Sequence, residues 1–240
     1  MSNLIDTHFH LDHYKNHKEI FELINSSKQY TLCVTNNPGV FLSCLRIYGG
    51  SKYVKFALGI HPCQINSINV INDFKYCSSR TKYIGEVGLD FSSRYIKNKN
   101  IQIKVFEEVM NIGIRENKVI SIHAKNSEDK LIEILAKYKN NKCIIHWFSG
   151  SSNQLKKLID LGCYFSLNYN MFDSKKDYNY LRNIPLDKIL IESDGPYGKV
   201  KNKKYYPEML KDIYNIVAER LEINNLDEVV SKNFRTILCK

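Results

Sequence analysis

The chain has 240 residues, a formal net charge of +10 and 25% charged residues. That length is enough for one substantial core, while no apolar run approaches the ~20 residues of a membrane span and no apolar signal core opens the chain, so a membrane-embedded or exported protein is not expected. The positive balance favours an anionic partner such as nucleic acid, although a chain rich in Lys, Asn, Ile and Tyr can carry such charge for solubility alone.

Apolar runs of β type recur along the chain with helix-length stretches between them. The first, residues 4–8, runs into Asp6-Thr7-His8-Phe9-His10. Alternate side chains of a strand share a face, so Asp6, His8 and His10 point the same way, and two imidazoles one pleat apart can share a metal ion. Further runs follow at residues 30–35, 55–60, 83–87, 119–123, 142–146, 163–167 and 188–191. Between them Ile101, Val105 and Val109 recur at four-residue steps, as do Leu131 and Leu135. Leu210, Ile213, Ile216 and Val217 mark a helix started by Pro207. Eight strands alternating with helices predict an α/β protein, a single domain over residues 1–240 with a parallel sheet closed as a TIM (β/α)8 barrel. The seven cysteines form no Cys-x-x-Cys pair and several sit in apolar runs. They read as buried reduced thiols of a cytoplasmic protein.

The polar residues that interrupt these runs fall at strand ends. His8 and His10 close the first strand, and Glu86 lies at the end of the fourth. His123 ends the fifth and His146 the sixth, and Asp194 follows the eighth. Barrel enzymes place their chemistry at the carboxyl ends of strands. Imidazole and carboxylate are the ligands of Zn, Mn, Fe or Mg at catalytic sites with open positions. Six candidate ligands exceed the needs of one ion. Two divalent ions sharing Glu86 are the economical reading, and such a pair activates water and clamps an in-line displacement at phosphorus. Asp194 is placed both to ligate and to accept the proton of the attacking water, which makes Glu86 and Asp194 the expected catalytic carboxylates.

Six ordered stretches carry a family resemblance: Asp6-Thr7-His8-Phe9-His10, Gly59-Ile60-His61-Pro62, Gly85-Glu86-Val87-Gly88-Leu89-Asp90, Ile122-His123, His146-Trp147-Phe148-Ser149-Gly150 and Glu192-Ser193-Asp194-Gly195-Pro196. Together they resemble the motifs of TatD-family metal-dependent deoxyribonucleases, over nearly the whole chain. The resemblance implies an amidohydrolase-like TIM barrel with His8, His10, Glu86 and Asp194 around one metal and Glu86, His123 and His146 around the other. It also implies that His61 contacts a substrate phosphate. Two features depart from the family. Lys125 stands where it often has Arg, replacing a bidentate fork by a point charge. The stretch after the eighth strand is also shorter. The compact length and the Glu-Ser-Asp-Gly-Pro form are similar to the QatD branch associated with anti-phage defence operons.

Other residues have plainer readings. Asp6 and Glu192 lie deeper than the ligands and are expected to orient ligand imidazoles. Asp90 either contacts substrate or caps its loop. His13, His17, Arg94 and Lys97 read as solvated, and Phe148 as packing. Residues 199–206 interleave Lys with Tyr, a pattern that tracks a nucleic-acid backbone and stacks bases, with Lys199 and Lys125 as phosphate contacts and Tyr197 and Tyr205 as stackers.

The expected activity is therefore hydrolysis of DNA phosphodiester bonds, as an exonuclease on single-stranded ends, with Mg2+ or Mn2+ and Zn2+ as the alternative. The expected protein is monomeric and independent of membranes, with defence-operon proteins as candidate partners. Deaminases and ester or amide hydrolases share this barrel but often use one metal or a carboxylated Lys, whereas the fourth strand here carries Glu86. A binding subunit without activity would have no need of the full ligand set.

Overall fold

The computed structural model describes residues 3–138, 142–172 and 179–239. Among the described residues, nine strands precede the C-terminal part: β1 Ile5–Phe9, β2 Tyr30–Cys33, β3 Val54–Phe56, β4 Leu58–Ile60, β5 Tyr83–Asp90, β6 Val119–Lys125, β7 Cys143–His146, β8 Tyr164–Leu167 and β9 Ile189–Ile191. The helices are α1 His17–Ser26, α2 Pro38–Tyr48, α3 Val70–Ser78, α4 Lys99–Arg115, α5 Glu128–Ala136, α6 Ser152–Asp160, α7 Leu210–Leu221 and α8 Leu226–Cys239. A short hairpin of β10, Lys199–Val200, and β11, Lys203–Lys204, lies between β9 and α7.

Every apolar run anticipated from sequence forms strand, but β5 and β6 run on to Asp90 and Lys125, so Glu86 and His123 lie within strands rather than at their ends. The run at 55–60 breaks at Ala57 into β3 and β4. The reason is Thr35, whose Oγ1 donates to Ala57 O (2.8 Å) and accepts from Gly59 N (3.2 Å), replacing ladder bonds by side-chain bonds. Among the described residues no helix is long and apolar enough to cross a membrane. Five of the seven cysteines are buried and all are free thiols.

The chain divides into two compact units. The first comprises Met1–Cys33, Gly50–Lys55 and Phe165–Lys240. In it β1 pairs parallel with β2, Ile5 opposite Tyr30, and β8 pairs parallel with β9, Phe165 opposite Ile189. All five residues of β1 are buried. The segment after β9 runs along the end of β1, with Asp194 N donating to His8 O (2.9 Å) and His10 N to Gly195 O (2.8 Å). From α7, Tyr214 clamps the start of β1, its hydroxyl donating to Ile5 O (2.9 Å) and accepting from Ile5 N (3.1 Å). Asn233 of α8 likewise donates to Leu186 O and Ile189 O, both at 2.8 Å.

The second unit comprises Val34–Gly49 and Phe56–Tyr164. Strands β4, β5, β6 and β7 lie side by side in parallel. All eight residues of β5 are buried, as expected of a parallel strand covered on both faces. Helix starts follow local chemistry: Asn37 caps α2 ahead of Pro38, and Ser151 with Gln154 forms a capping box on α6. The apolar repeats behave as predicted on α4 and α5, where Val105, Val109, Leu131 and Leu135 are buried.

One buried polar residue was not legible as such in the sequence. Gln102 on α4 donates to Asp90 O (3.0 Å) and Tyr95 O (3.1 Å) and accepts from Asp90 N (2.8 Å). It thereby fixes the end of β5 and the loop beyond it. Gln102→Leu keeps the volume but leaves these backbone groups unpaired, so the unfolding free energy is expected to fall by about 2–4 kcal/mol in urea denaturation.

Candidate metal centre

The first unit brings together His8, His10 and Asp194, whose ligand atoms lie within 4.8 Å of one another. Asp194 Oδ1 is 3.7 Å from His8 Nε2 and 3.4 Å from His10 Nε2. All three residues are buried. The histidines come from β1 and the residue after it, while Asp194 sits on the segment bonded back to His8. Asp194 adopts a left-handed backbone (φ 49°), a conformation costly for a residue with a Cβ and typical of positions held for function.

Asp6, expected to orient an imidazole, does otherwise. It accepts from His8 N (3.2 Å), Ser193 N (3.0 Å) and Ser193 Oγ (2.6 Å), and Ser193 Oγ in turn accepts from Gly195 N (3.1 Å). The carboxylate thus fixes the backbone on both sides of the cluster rather than a ring. Burial pushes its pKa up to about 7, against the pull of these hydrogen bonds. Glu192 takes the Ser166 hydroxyl and the Asn168 amide, the latter at 2.9 Å, and anchors the strand that leads into Asp194.

The second unit gathers His61, Glu86, His123 and His146. Glu86 Oε1 lies 2.9 Å from His123 Nδ1, 3.0 Å from His146 Nε2 and 3.4 Å from His61 Nε2. His146 Nε2 and His123 Nδ1 are 3.4 Å apart. Three ligand atoms bound tetrahedrally at about 2.1 Å stand roughly 3.4 Å from one another, so both two-imidazole, one-carboxylate sets have the spacing and chemistry to take a divalent ion. Glu86 is held by its backbone: its N–H donates to Thr35 O (3.0 Å), while Thr35 N donates to Gly85 O (3.0 Å). Gly88, at φ 144°, lies so close to β6 that a Cβ would stand 2.0 Å from His123 O. Trp147, directly after His146, is left-handed at φ 40°.

Burial alone would lower the pKa of His123, but Asp90 and Glu86 overrule it and hold the imidazole above its ordinary value. His61 is raised in the same way, Glu86 outweighing burial. The negative potential responsible is of the sign that attracts a cation. Asp90 caps its loop, one of the two roles left open by the sequence, and also meets the His123 ring. Its Oδ1 accepts from Ser92 N (2.9 Å), and its Oδ2 lies 3.3 Å from His123 Nε2. These contacts outweigh burial and hold its pKa at about 2.

The remaining expected substrate contacts separate. Lys125 and Lys199 are exposed, and Tyr197 is 57% exposed. Tyr205, expected to stack on a base, is fully buried with its ring edge-on to Phe9, because the turn at Gly195 packs against it. Phe148 is buried, as a packing residue should be. Sequence reasoning placed His13 in solvent, yet its Nδ1 lies 2.7 Å from the Tyr197 hydroxyl and its ring stacks on His10 (4.8 Å, 8°). His10, Asp12 and His13 also have ligand atoms within 4.8 Å. The lone pairs of parallel stacked rings lie in parallel planes and do not converge on one ion, so this trio is a scaffold. No periodicity or motif signals the His13–Tyr197 contact, which joins positions 184 residues apart.

Residues 5–239 match the family model described as TatD related DNase. An uncharacterised metal-dependent hydrolase of Buchnera aphidicola is 27% identical, over 98% of each chain. A Schizosaccharomyces pombe protein named deoxyribonuclease Tat-D is 26% identical over 64% of this chain and 55% of its own length. Among solved structures, a TatD homologue from Escherichia coli K12 superposes with a TM-score of 0.87, covering 98% of this chain and 97% of that one at 19% identity. That likeness is one of fold, a parallel α/β fold consistent with the TIM barrel expected from the strand pattern.

Proposed function

The chain belongs to the TatD-related DNase family and is a metal-dependent hydrolase, and on that premise we propose that it hydrolyses DNA phosphodiester bonds, trimming single-stranded ends. The observation that carries this reading is the presence of two sets of two imidazoles and one carboxylate, His8–His10–Asp194 and His123–His146–Glu86, each with ligand spacing suited to a divalent ion. We assign one ion to each set, Mg2+ or Mn2+ before Zn2+. When bound, such ions polarise a phosphoryl oxygen and make water acidic enough to attack at neutral pH.

The protein's own groups supply the rest. Asp194 accepts the proton of the attacking water as its oxygen bonds to phosphorus and the bond to the leaving oxygen breaks. Glu86 holds its imidazoles about one carboxylate oxygen. His61, Lys125 and Lys199 contact phosphate oxygens, the lysines as point charges without the orientation of a guanidinium fork. The net charge of +10 adds attraction for a polyanion. A role in anti-phage defence is the physiological reading we attach to the Glu192–Pro196 form.

Treatment with EDTA is expected to abolish shortening of a labelled single strand, and Mn2+ or Mg2+ added in excess to restore it. Retention of full activity in EDTA, or no cleavage of any DNA form under any metal, would sink the proposal and turn attention to amides or small esters.

A further inference from the structure

We infer that Tyr197 is a stacking platform for a nucleobase beside the scissile phosphate, and that His13 is the positioning residue that holds it. The inference rests on the DNA-hydrolysing reading above and specifies how that site recognises a single strand.

Tyr197 is the exposed aromatic nearest in sequence to Asp194, and it is not loosely attached. Its N–H donates to Asp194 O at 2.8 Å, and the next N–H, of Gly198, donates to the same oxygen at 2.9 Å. A Cβ on Gly198 would stand 2.0 Å from Ser193 O, so this turn closes tightly on the Asp194 segment. The side chain is fixed separately, its hydroxyl 2.7 Å from His13 Nδ1, with His13 Nε2 3.3 Å from Asp12 Oδ2. The Tyr197 ring stands edge-on to both His10 (5.4 Å, 85°) and His13 (5.5 Å, 89°). These contacts use the hydroxyl and the ring's surroundings but leave more than half of the residue exposed. A large aromatic kept exposed and oriented at several points, next to the His8–His10–Asp194 cluster, is what base stacking requires. A stack needs a fixed π-face and tolerates any base. The exposed Lys199 lies two residues on, its N–H donating to Asn170 Oδ1 (2.8 Å), and supplies charge for the adjoining phosphate.

The test compares a single-stranded oligonucleotide with a chain of equal length made wholly of abasic deoxyribose phosphates. On the base-bearing strand Tyr197→Ala is expected to raise KM about 10- to 100-fold with kcat little changed, the signature of lost uniform binding. On the abasic chain the variant and the parent should have the same KM. Tyr197→Phe keeps the ring but loses the His13 bond and should fall between, as should His13→Ala. Fluorescence anisotropy of both oligomers in EDTA reads the same preference without cleavage. Equal effects of Tyr197→Ala on the two oligomers, or none on either, would overturn the inference. Absence of cleavage by the parent protein would instead count against the hydrolase reading, and the anisotropy comparison would still decide the stacking role.

Discussion

Glu86→Gln is expected to lower kcat/KM for DNA hydrolysis by about a thousandfold or more, equivalent to about 4 kcal/mol of transition-state stabilisation. The substitution preserves shape and volume, so folding should survive. What changes is the oxygen that three imidazoles approach at 2.9–3.4 Å. An amide presents a neutral oxygen and, on its other side, donors that face the same rings. Partners that merely orient metal ligands already cost 10- to 100-fold when removed, roughly, so a ligand itself should cost more. A second readout separates this from damage to the fold. Metal added to the parent protein should raise its melting temperature by mass action. That rise should shrink in Glu86→Gln while the melting temperature of the metal-free protein stays close to the parent's. A variant with near-normal turnover would remove Glu86, and the set built on it, from the mechanism.

Gly59→Ala should produce the largest loss of stability among single-methyl additions at this site, about 4 kcal/mol or more. A Cβ there would stand 1.6 Å from Thr35 O and 2.7 Å from Glu86 N. Both neighbours are backbone, and they are bonded to each other at 3.0 Å. No rotamer change relieves the clash. The strand must move or the Thr35–Glu86 bond must open, and with it the support of the Glu86 carboxylate. Since natural domains hold about 5–15 kcal/mol in all, such a loss leaves little margin. Urea denaturation followed by circular dichroism would measure it; a change under about 1 kcal/mol would mean the close approach is not real. Ala at Gly50 is a useful contrast, because nothing lies within 4 Å of a Cβ there and only its φ of 92° resists substitution.

Much of this was written locally. Strands of apolar residues, and helices repeating Val105–Val109 or Leu131–Leu135, follow from side-chain periodicity, which needs no knowledge of distant chain. Those strands and the residues just after them carried His8, His10, Glu86, His123, His146 and Asp194 in an order already specific to a family, because imidazoles and carboxylates in apolar surroundings are conspicuous. Tertiary structure decided what depends on who lies opposite whom. Asp6 turned out to bind the backbone at Ser193 rather than a ring, since that segment folds onto β1. Tyr197 and Tyr205, alike in sequence, were sorted into an exposed ring and a buried one by the packing of one turn. Gly59 is required by the carbonyl of Thr35, and Gln102 by the backbone of Asp90. His13, a loop histidine by every local sign, gained its partner from a residue 184 positions away. Composition and spacing determine which groups are available for chemistry; long-range contacts alone determine which atoms they meet.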